Sequence, residues 1–137
     1  MTKEKLRQYG WLMKNVALLE DQLAELETKA TSTTINIKQD MISGGCSEDK
    51  MSGQVAQIVD LKNQINQKLE KAYAIRQKIE EAIEVLDERE KLLVRLKYIQ
   101  CKTWEEVAVE MGYTWQHTHK IHAKCLDDLK EVIECDI

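Results

Sequence analysis

The feature of the sequence that most constrains its fold is the regular spacing of apolar residues in a chain that contains no proline. Within residues 54–86 an apolar residue recurs every seven positions, and within residues 3–28 the step alternates between three and four. Both spacings predict long amphipathic helices of the coiled-coil type, which can run uninterrupted without proline. The residues are Tyr9, Leu12, Val16, Leu19, Leu23 and Leu26 in the first segment, and Ile58, Ile65, Ala72, Ile79 and Leu86 in the second.

The apolar stripe on the second helix needs a partner. A helix over residues 54–86 is about 50 Å long, which is more than one small core covers. The helix over residues 3–28 is one candidate, as an antiparallel hairpin. A second copy of the chain is the other, which predicts a homodimer through the N-terminal helices.

Residues 29–53 interrupt the helical pattern. They are rich in Ser, Thr, Gly and Asp, with Gly44 and Gly45 near the middle. We expect a long connection between the two helices, and connections of this length are either functional or partly disordered.

The composition narrows the class of protein. The formal net charge of −4 argues against a strong nonspecific nucleic-acid binder, although it permits a local basic face. The first residues do not resemble a signal peptide, and no apolar run is long enough to span a membrane, so we expect a cytoplasmic protein. Cys46, Cys101, Cys125 and Cys135 lack paired spacing and are interpreted as free thiols.

Residues 87–137 have a different organisation, with shorter helical segments. Thr103 and Glu106 form a capping box, and Thr114 is a suitable helix N-cap. The predicted helices are 88–100, 103–110 and 114–134. The sequence as a whole therefore predicts an all-α fold, with a helical hairpin over residues 1–86 followed by a second domain over residues 87–137.

The segment around Gly112 has the residue types of a helix-turn-helix. Ala108 supplies the small residue where two helices cross, and Gly112 supplies the turn, where a positive φ is tolerated. Thr118 stands at an inner position that is usually aliphatic, so its hydroxyl needs a partner such as a carbonyl one turn back. The inner apolar residues are Val107, Met111, Tyr113 and Ile121.

Several short motifs in this segment resemble region 4 of housekeeping-type sigma factors. They are Glu88-Arg89, Leu96-Lys97-Tyr98, Glu106-Val107-Ala108, Met111-Gly112-Tyr113-Thr114 and Ile121-x-Ala123-x-x-Leu126, in matching order and spacing. The overall layout is similar to a family of small phage and prophage proteins akin to ArpU/RinA-type regulators of phage late genes. The resemblance implies sequence-specific binding of double-stranded DNA, transcriptional control and RNA polymerase as a partner. Sigma regions 2 and 3 have no counterpart in the first 87 residues.

The same resemblance places the residues that follow the turn in the DNA major groove. Gln can pair with adenine, Lys with guanine, and an aromatic ring with a thymine methyl group, while the helix N-terminus can hold a phosphate. Arg is absent from the recognition helix, so no base preference carries over. The predicted DNA-binding residues are Thr114, Trp115, Gln116, His117, His119, Lys120 and Lys124.

Other readings of the segment remain open. The helix-turn-helix could serve packing alone, or the protein could be a helical adaptor that acts on polymerase or a packaging complex without binding DNA. His119, His122 and Cys125 have helical spacing for a metal, but a tetrahedral site usually needs ligands from two segments, and no metal or cofactor is predicted. No motif indicates an enzyme. If the three histidines titrate, we expect DNA binding to strengthen as the pH falls from about 8 to about 6.

Overall fold

The computed structural model describes residues 1–39 and 47–132, and every regular element within them is helical. The predicted all-α class is therefore confirmed. Two long helices come first, α1 (Lys3–Gln39) and α2 (Ser47–Ala82), followed by a 3₁₀ turn at Ile83–Val85. The remaining helices are α3 (Glu88–Val94), which continues into a π-helical turn at Arg95–Ile99, α4 (Trp104–Met111) and α5 (Trp115–Lys130). None of the helices in the described part of the chain is long and apolar enough to cross a membrane.

The prediction of a connection over residues 29–53 is wrong at both ends, because α1 continues to Gln39 and α2 begins at Ser47. Thr31 of this stretch and Thr28 just before it do not end the helix, since their hydroxyls find acceptors within it. The Thr28 and Thr31 hydroxyls donate to the carbonyls of Ala24 and Glu27, at 2.8 and 2.9 Å. Residues 40–46, which include Cys46, lie outside the described residues, as do residues 133–137 with Cys135.

The chain divides into two compact units, and the second consists of Lys14–Glu70. In this unit the predicted stripes of α1 and α2 pack against each other, with Val16, Leu61 and Ile65 buried. Lys62 also pairs with Glu27 across the two helices, at 3.8 Å. Within this unit the stripe of α2 is thus covered by α1 of the same chain, as the hairpin alternative predicted.

The first unit consists of Met1–Met13 and Lys71–Ile137. Its core includes residues from both ends of the chain, because Leu6 and Tyr9 of α1 join the same buried cluster as Leu93, Ile121 and Leu129. The amino group of Met1 donates to the Leu129 carbonyl at 2.7 Å. The predicted division at residues 86 and 87 stays a proposal, and the compact unit that holds the helix-turn-helix also contains these first turns of α1.

Candidate nucleic-acid interface

The turn between α4 and α5 is built from local hydrogen bonds. Gly112 has φ 73°, the left-handed conformation that glycine adopts without strain. Its N–H donates to the Val109 carbonyl at 3.2 Å, and the N–H of Tyr113 donates to the Ala108 carbonyl at 3.1 Å. These two bonds form a Schellman motif, which ends α4 and redirects the chain. The predicted role of Gly112 as the turn residue is confirmed.

The start of α5 is fixed by two threonines. The Thr114 hydroxyl accepts a hydrogen bond from the N–H of His117 at 3.1 Å and so acts as the predicted N-cap. Thr118 is fully buried, and its hydroxyl donates to the Thr114 carbonyl at 2.8 Å. The partner that the sequence required for this buried hydroxyl is therefore the carbonyl one turn back, as expected.

The two sides of α5 differ in exposure. The inner side packs on α3 and α4 and consists of Thr118, Ile121, His122, Cys125 and Leu129, all buried. Gln116, Lys120 and Ala123 are exposed and follow one another at three- and four-residue steps, so they share the outer side. Of the predicted DNA-binding residues, Gln116 and Lys120 thus occupy the outermost edge of the helix.

Three aromatic rings contact one another beside the first turn of α5, each pair tilted rather than parallel. Trp115 is 52% exposed, as predicted, and its ring centre lies 3.9 Å from that of His119. His119 is half-buried, and its ring also lies near Trp104 of α4, at 4.3 Å between centres. His119 was predicted to reach DNA, and its ring contacts both tryptophans. We call Trp104, His119 and Trp115 the aromatic cluster.

His122 is buried on the inner side of α5, where its Nε2 is 2.5 Å from the Tyr98 hydroxyl. Burial lowers the pKa of His122 from 6.5 to about 4, with smaller contributions from nearby cations, and burial raises the pKa of Tyr98 to about 12. Both groups are therefore neutral at pH 7. The expectation that three histidines titrate between pH 8 and 6 is wrong for His122.

The basic residues of α5 differ in their partners. Lys124 lies 3.3 Å from the carboxylate of Glu90, which is 3% exposed, and Lys130 pairs with Asp127 at 3.5 Å. Among the lysines that the structure describes on α5, Lys120 is the one without an ion pair. Lys124 therefore has a structural role besides the predicted phosphate contact, because it pairs with a buried carboxylate.

His117 and Tyr113 lie together on the other flank of the first turn. Their rings meet edge to face, with centres 4.7 Å apart, and the Arg89 guanidinium lies 6.0 Å from the centre of the Tyr113 ring. His117 itself is exposed. Tyr113 of the turn therefore contacts both Arg89 of α3 and His117 of α5, while Trp104 of α4 contacts His119 of α5.

The metal alternative gains no support from the geometry. The residues that the structure describes contain no group of three His, Cys or carboxylate side chains that could hold an ion. Cys125 is fully buried, and burial raises the pKa of its thiol to about 12, which keeps the thiol protonated.

Sequence reasoning missed two features of this unit. Glu90 carries no pattern that distinguishes it from the exposed acidic residues beside it, yet it is buried against α5. The first turns of α1 are more than 100 residues away from α5 in sequence, so no local signal connects them.

The fold and these contacts define the class: α4, the glycine turn and α5 form a helix-turn-helix. Residues 82–131 match the family model described as Sigma-70, region 4. Two curated relatives are RNA polymerase sigma-F factors. That of Priestia megaterium is 36% identical over 72 residues, which cover 53% of this chain and 28% of that protein. That of Bacillus licheniformis is 34% identical over 76 residues, which cover 56% of this chain and 30% of that protein.

The chain spans less than a third of the length of these relatives. No solved structure matches it. The comparisons therefore confirm a sigma region 4-like helix-turn-helix within residues 82–131, in agreement with the motifs at Glu88-Arg89, Leu96-Lys97-Tyr98 and Met111-Gly112-Tyr113-Thr114.

Proposed function

We propose that the helix-turn-helix binds double-stranded DNA sequence-specifically and that the protein regulates transcription. The observation that carries the proposal is the outer edge of α5, which follows a Schellman turn and presents exposed Gln116 and Lys120 on a capped helix. An exposed α-helix edge of this kind fits the major groove of B-DNA.

Charge supports this assignment of the edge. No Asp or Glu occurs between Thr114 and Lys124, so the face that approaches the groove carries Lys120 without a neighbouring acid on the same turns. Acidic side chains on this face would be repelled by the phosphate backbone and would oppose binding.

Each predicted residue receives a role in the proposal. Gln116 and Lys120 contact bases, His117 contacts a base or phosphate at the groove edge, and Trp115 makes an apolar contact such as that with a thymine methyl group. Thr114 orders the first turn as its cap. His119 positions Trp115 through the aromatic cluster, and the largely exposed Lys124 contacts a phosphate in addition to its pairing with Glu90.

A binding site selected from random duplexes, followed by gel-shift titration, tests the proposal. We expect Gln116→Ala to relax the preference at one base pair by about 1–3 kcal/mol. We expect Lys120→Ala to weaken the binding of the selected duplex as well. Lys120→Ala is preferable to a variant of Lys124, because removal of Lys124 leaves Glu90 without its cation and disturbs the fold as well.

Lys130→Ala is the matched control, because it removes the same charge from the far end of α5, where Lys130 pairs with Asp127. This variant should bind like the unmodified protein. If no duplex is enriched and none is retarded at any salt concentration, the DNA-binding proposal fails, and the helical adaptor becomes the better account.

The finer assignment is a phage-type regulator that works with RNA polymerase. It is supported by the resemblance of the layout to ArpU/RinA-type regulators and by relatives whose names identify them as RNA polymerase sigma factors. Co-purification of the core polymerase with the tagged chain, and run-off transcription from a promoter that contains the selected site, test this assignment. Unchanged transcription at saturating protein would contradict it.

The homodimer also stays a proposal, and the apolar stripes no longer argue for it, because α1 and α2 use them within the chain. A dimer must use other residues, of which Leu18, Val55 and Val59 are exposed on the hairpin. Light scattering over a concentration series up to about 100 μM measures the molar mass and so tests the dimer. A molar mass that stays at the monomer value would contradict the dimer proposal.

A further inference from the structure

His119 lies on the flank of α5 that faces α4, because its ring contacts Trp104 of that helix, at 4.3 Å between centres. It also follows Gln116 by three positions and precedes Lys120 by one, so it borders the outer edge of α5. In helix-turn-helix proteins the recognition helix lies in the major groove, and the preceding helix crosses the DNA backbone. A side chain on this flank is therefore close to a phosphate when α5 enters the groove.

The Nε2 atom of His119 lacks a hydrogen bond. It is buried, and among the residues that the structure describes it has no hydrogen-bond partner. Buried polar atoms of side chains are usually paired, because an unpaired one loses its contact with water without compensation. A nitrogen in this state favours a ligand that can supply the missing bond.

Of the two tryptophan rings against His119, that of Trp115 is less constrained. Trp104 is half-buried and meets the His122 ring edge to face, with centres 4.5 Å apart, and the Lys97 ammonium lies 4.8 Å from its ring centre. Trp115 is 52% exposed, and among the described residues the aromatic ring that it contacts is that of His119, at 3.9 Å between centres. Exposed side chains change rotamer within nanoseconds. A rotamer change of Trp115 therefore uncovers one side of the imidazole without a backbone movement.

We propose that DNA binding displaces the Trp115 ring from His119, and that the uncovered Nε2 donates a hydrogen bond to a phosphate oxygen of the duplex. The inference rests on the proposed function and adds to it a phosphate contact that the free protein conceals. A protonated imidazole nitrogen is a hydrogen-bond donor, and bonds to a charged acceptor are stronger than those between neutral groups. The displaced Trp115 ring is then available for the apolar contact with a thymine methyl group.

Two substitutions of His119 separate this contact from a role in packing alone. His119→Phe keeps an aromatic ring against both tryptophans and removes the nitrogen, whereas His119→Gln loses the ring and keeps an N–H donor. We expect His119→Phe to weaken binding of the selected duplex about ten- to a hundredfold, as for the loss of a hydrogen bond to a charged group, and His119→Gln to weaken it less. If the ring of His119 only supports Trp115, the order of the two variants is reversed and the inference is overturned. Circular dichroism verifies that both variants are folded.

The phosphate is identified with duplexes in which one phosphate at a time is replaced by an uncharged methylphosphonate. At one position the replacement should weaken binding by the unmodified protein and by His119→Gln, and should have much less effect on His119→Phe. If no position behaves in this way, the phosphate contact is overturned, even when His119→Phe binds weakly.

The displacement of Trp115 is measured by NMR on the imidazole protons of His119, which the nearby tryptophan rings shift. Addition of the selected duplex should move these resonances in the same direction as Trp115→Ala does in the free protein. Resonances that DNA leaves unchanged would overturn the inference. In each of these cases the proposed function stands, whereas failure of the unmodified protein to bind any duplex overturns both.

Discussion

The substitution Gly112→Ala gives the sharpest test of the turn that orients α5. Gly112 has φ 73°, and a Cβ atom placed there would meet nothing within 4 Å. The substitution therefore adds no steric contact with a neighbour. Its effect on the free energy of unfolding comes from the backbone conformation alone, which makes the expected magnitude easy to derive.

Two opposing contributions set this magnitude. An L-residue in the left-handed conformation costs about 1–2 kcal/mol. Alanine also restricts the unfolded chain, which returns about 0.4–1 kcal/mol. We expect Gly112→Ala to lower the free energy of unfolding by about 1 kcal/mol, and Gly112→Asn to lower it less, because asparagine tolerates this conformation better.

Urea denaturation followed by tryptophan fluorescence measures the effect. Trp11, Trp104 and Trp115 all belong to the compact unit that contains Gly112, so their emission reports the unfolding of that unit. Gly53→Ala provides the control. Gly53 lies inside α2, also with nothing near its Cβ position, so this substitution should stabilise the helix by about 1 kcal/mol, as seen by circular dichroism.

The two glycines thus predict opposite signs for the same chemical change. If Gly112→Ala leaves the free energy of unfolding unchanged or raises it, the left-handed turn is not the conformation of this corner, and the assigned orientation of α5 loses its basis. A loss far above 2 kcal/mol would also contradict the reasoning, since it would require a clash that the structure does not contain.

Two further predictions concern buried groups. The pKa of His122 is lowered from 6.5 to about 4 in the folded protein, so on acidification the unfolded state takes up this proton at a higher pH than the folded state does. The free energy of unfolding should therefore fall as the pH decreases from 6.5 to 4, by up to about 3 kcal/mol. His122→Gln should flatten this part of the pH profile of urea denaturation, and parallel profiles would refute the assignment. Lys124→Met should cost about 1–2 kcal/mol, because buried Glu90 loses its cation through a partly screened pair. The same substitution in a Glu90→Gln background should cost much less, and additive effects in this double-mutant cycle would contradict the pairing.

Sequence patterns correctly predicted the features that depend on neighbours along the chain. The seven-residue spacing predicted α2, and the residue types at Thr103, Gly112 and Thr114 predicted the caps and the turn. The need of Thr118 for a carbonyl one turn back was met within its own helix. The prediction failed at the two ends of residues 29–53, where threonine was taken as a helix breaker although its hydroxyl can bond to the helix that contains it, as that of Thr31 does.

Other features of the candidate interface needed the tertiary structure. His119 contacts the rings of both Trp104 and Trp115, and Lys124 is paired with Glu90, a residue 34 positions earlier. Such partners come from different helices, so their identities depend on how the helices dock. The histidine pattern of α5 is compatible with a metal site, a DNA contact or a core position, and only the docking distinguished buried His122 from exposed His117.

By itself the sequence determined an all-helical chain with a helix-turn-helix at residues 103–130, because helix periodicity, caps and the glycine turn depend on hydrogen bonds and backbone angles within a few residues. The tertiary structure alone decided that Lys124 pairs with buried Glu90, whereas Lys120 on the same helix makes no ion pair with the described residues. It also decided that Leu6 and Tyr9 complete the core beside Ile121. These outcomes follow from burial between distant segments, where desolvation selects partners that no local pattern specifies.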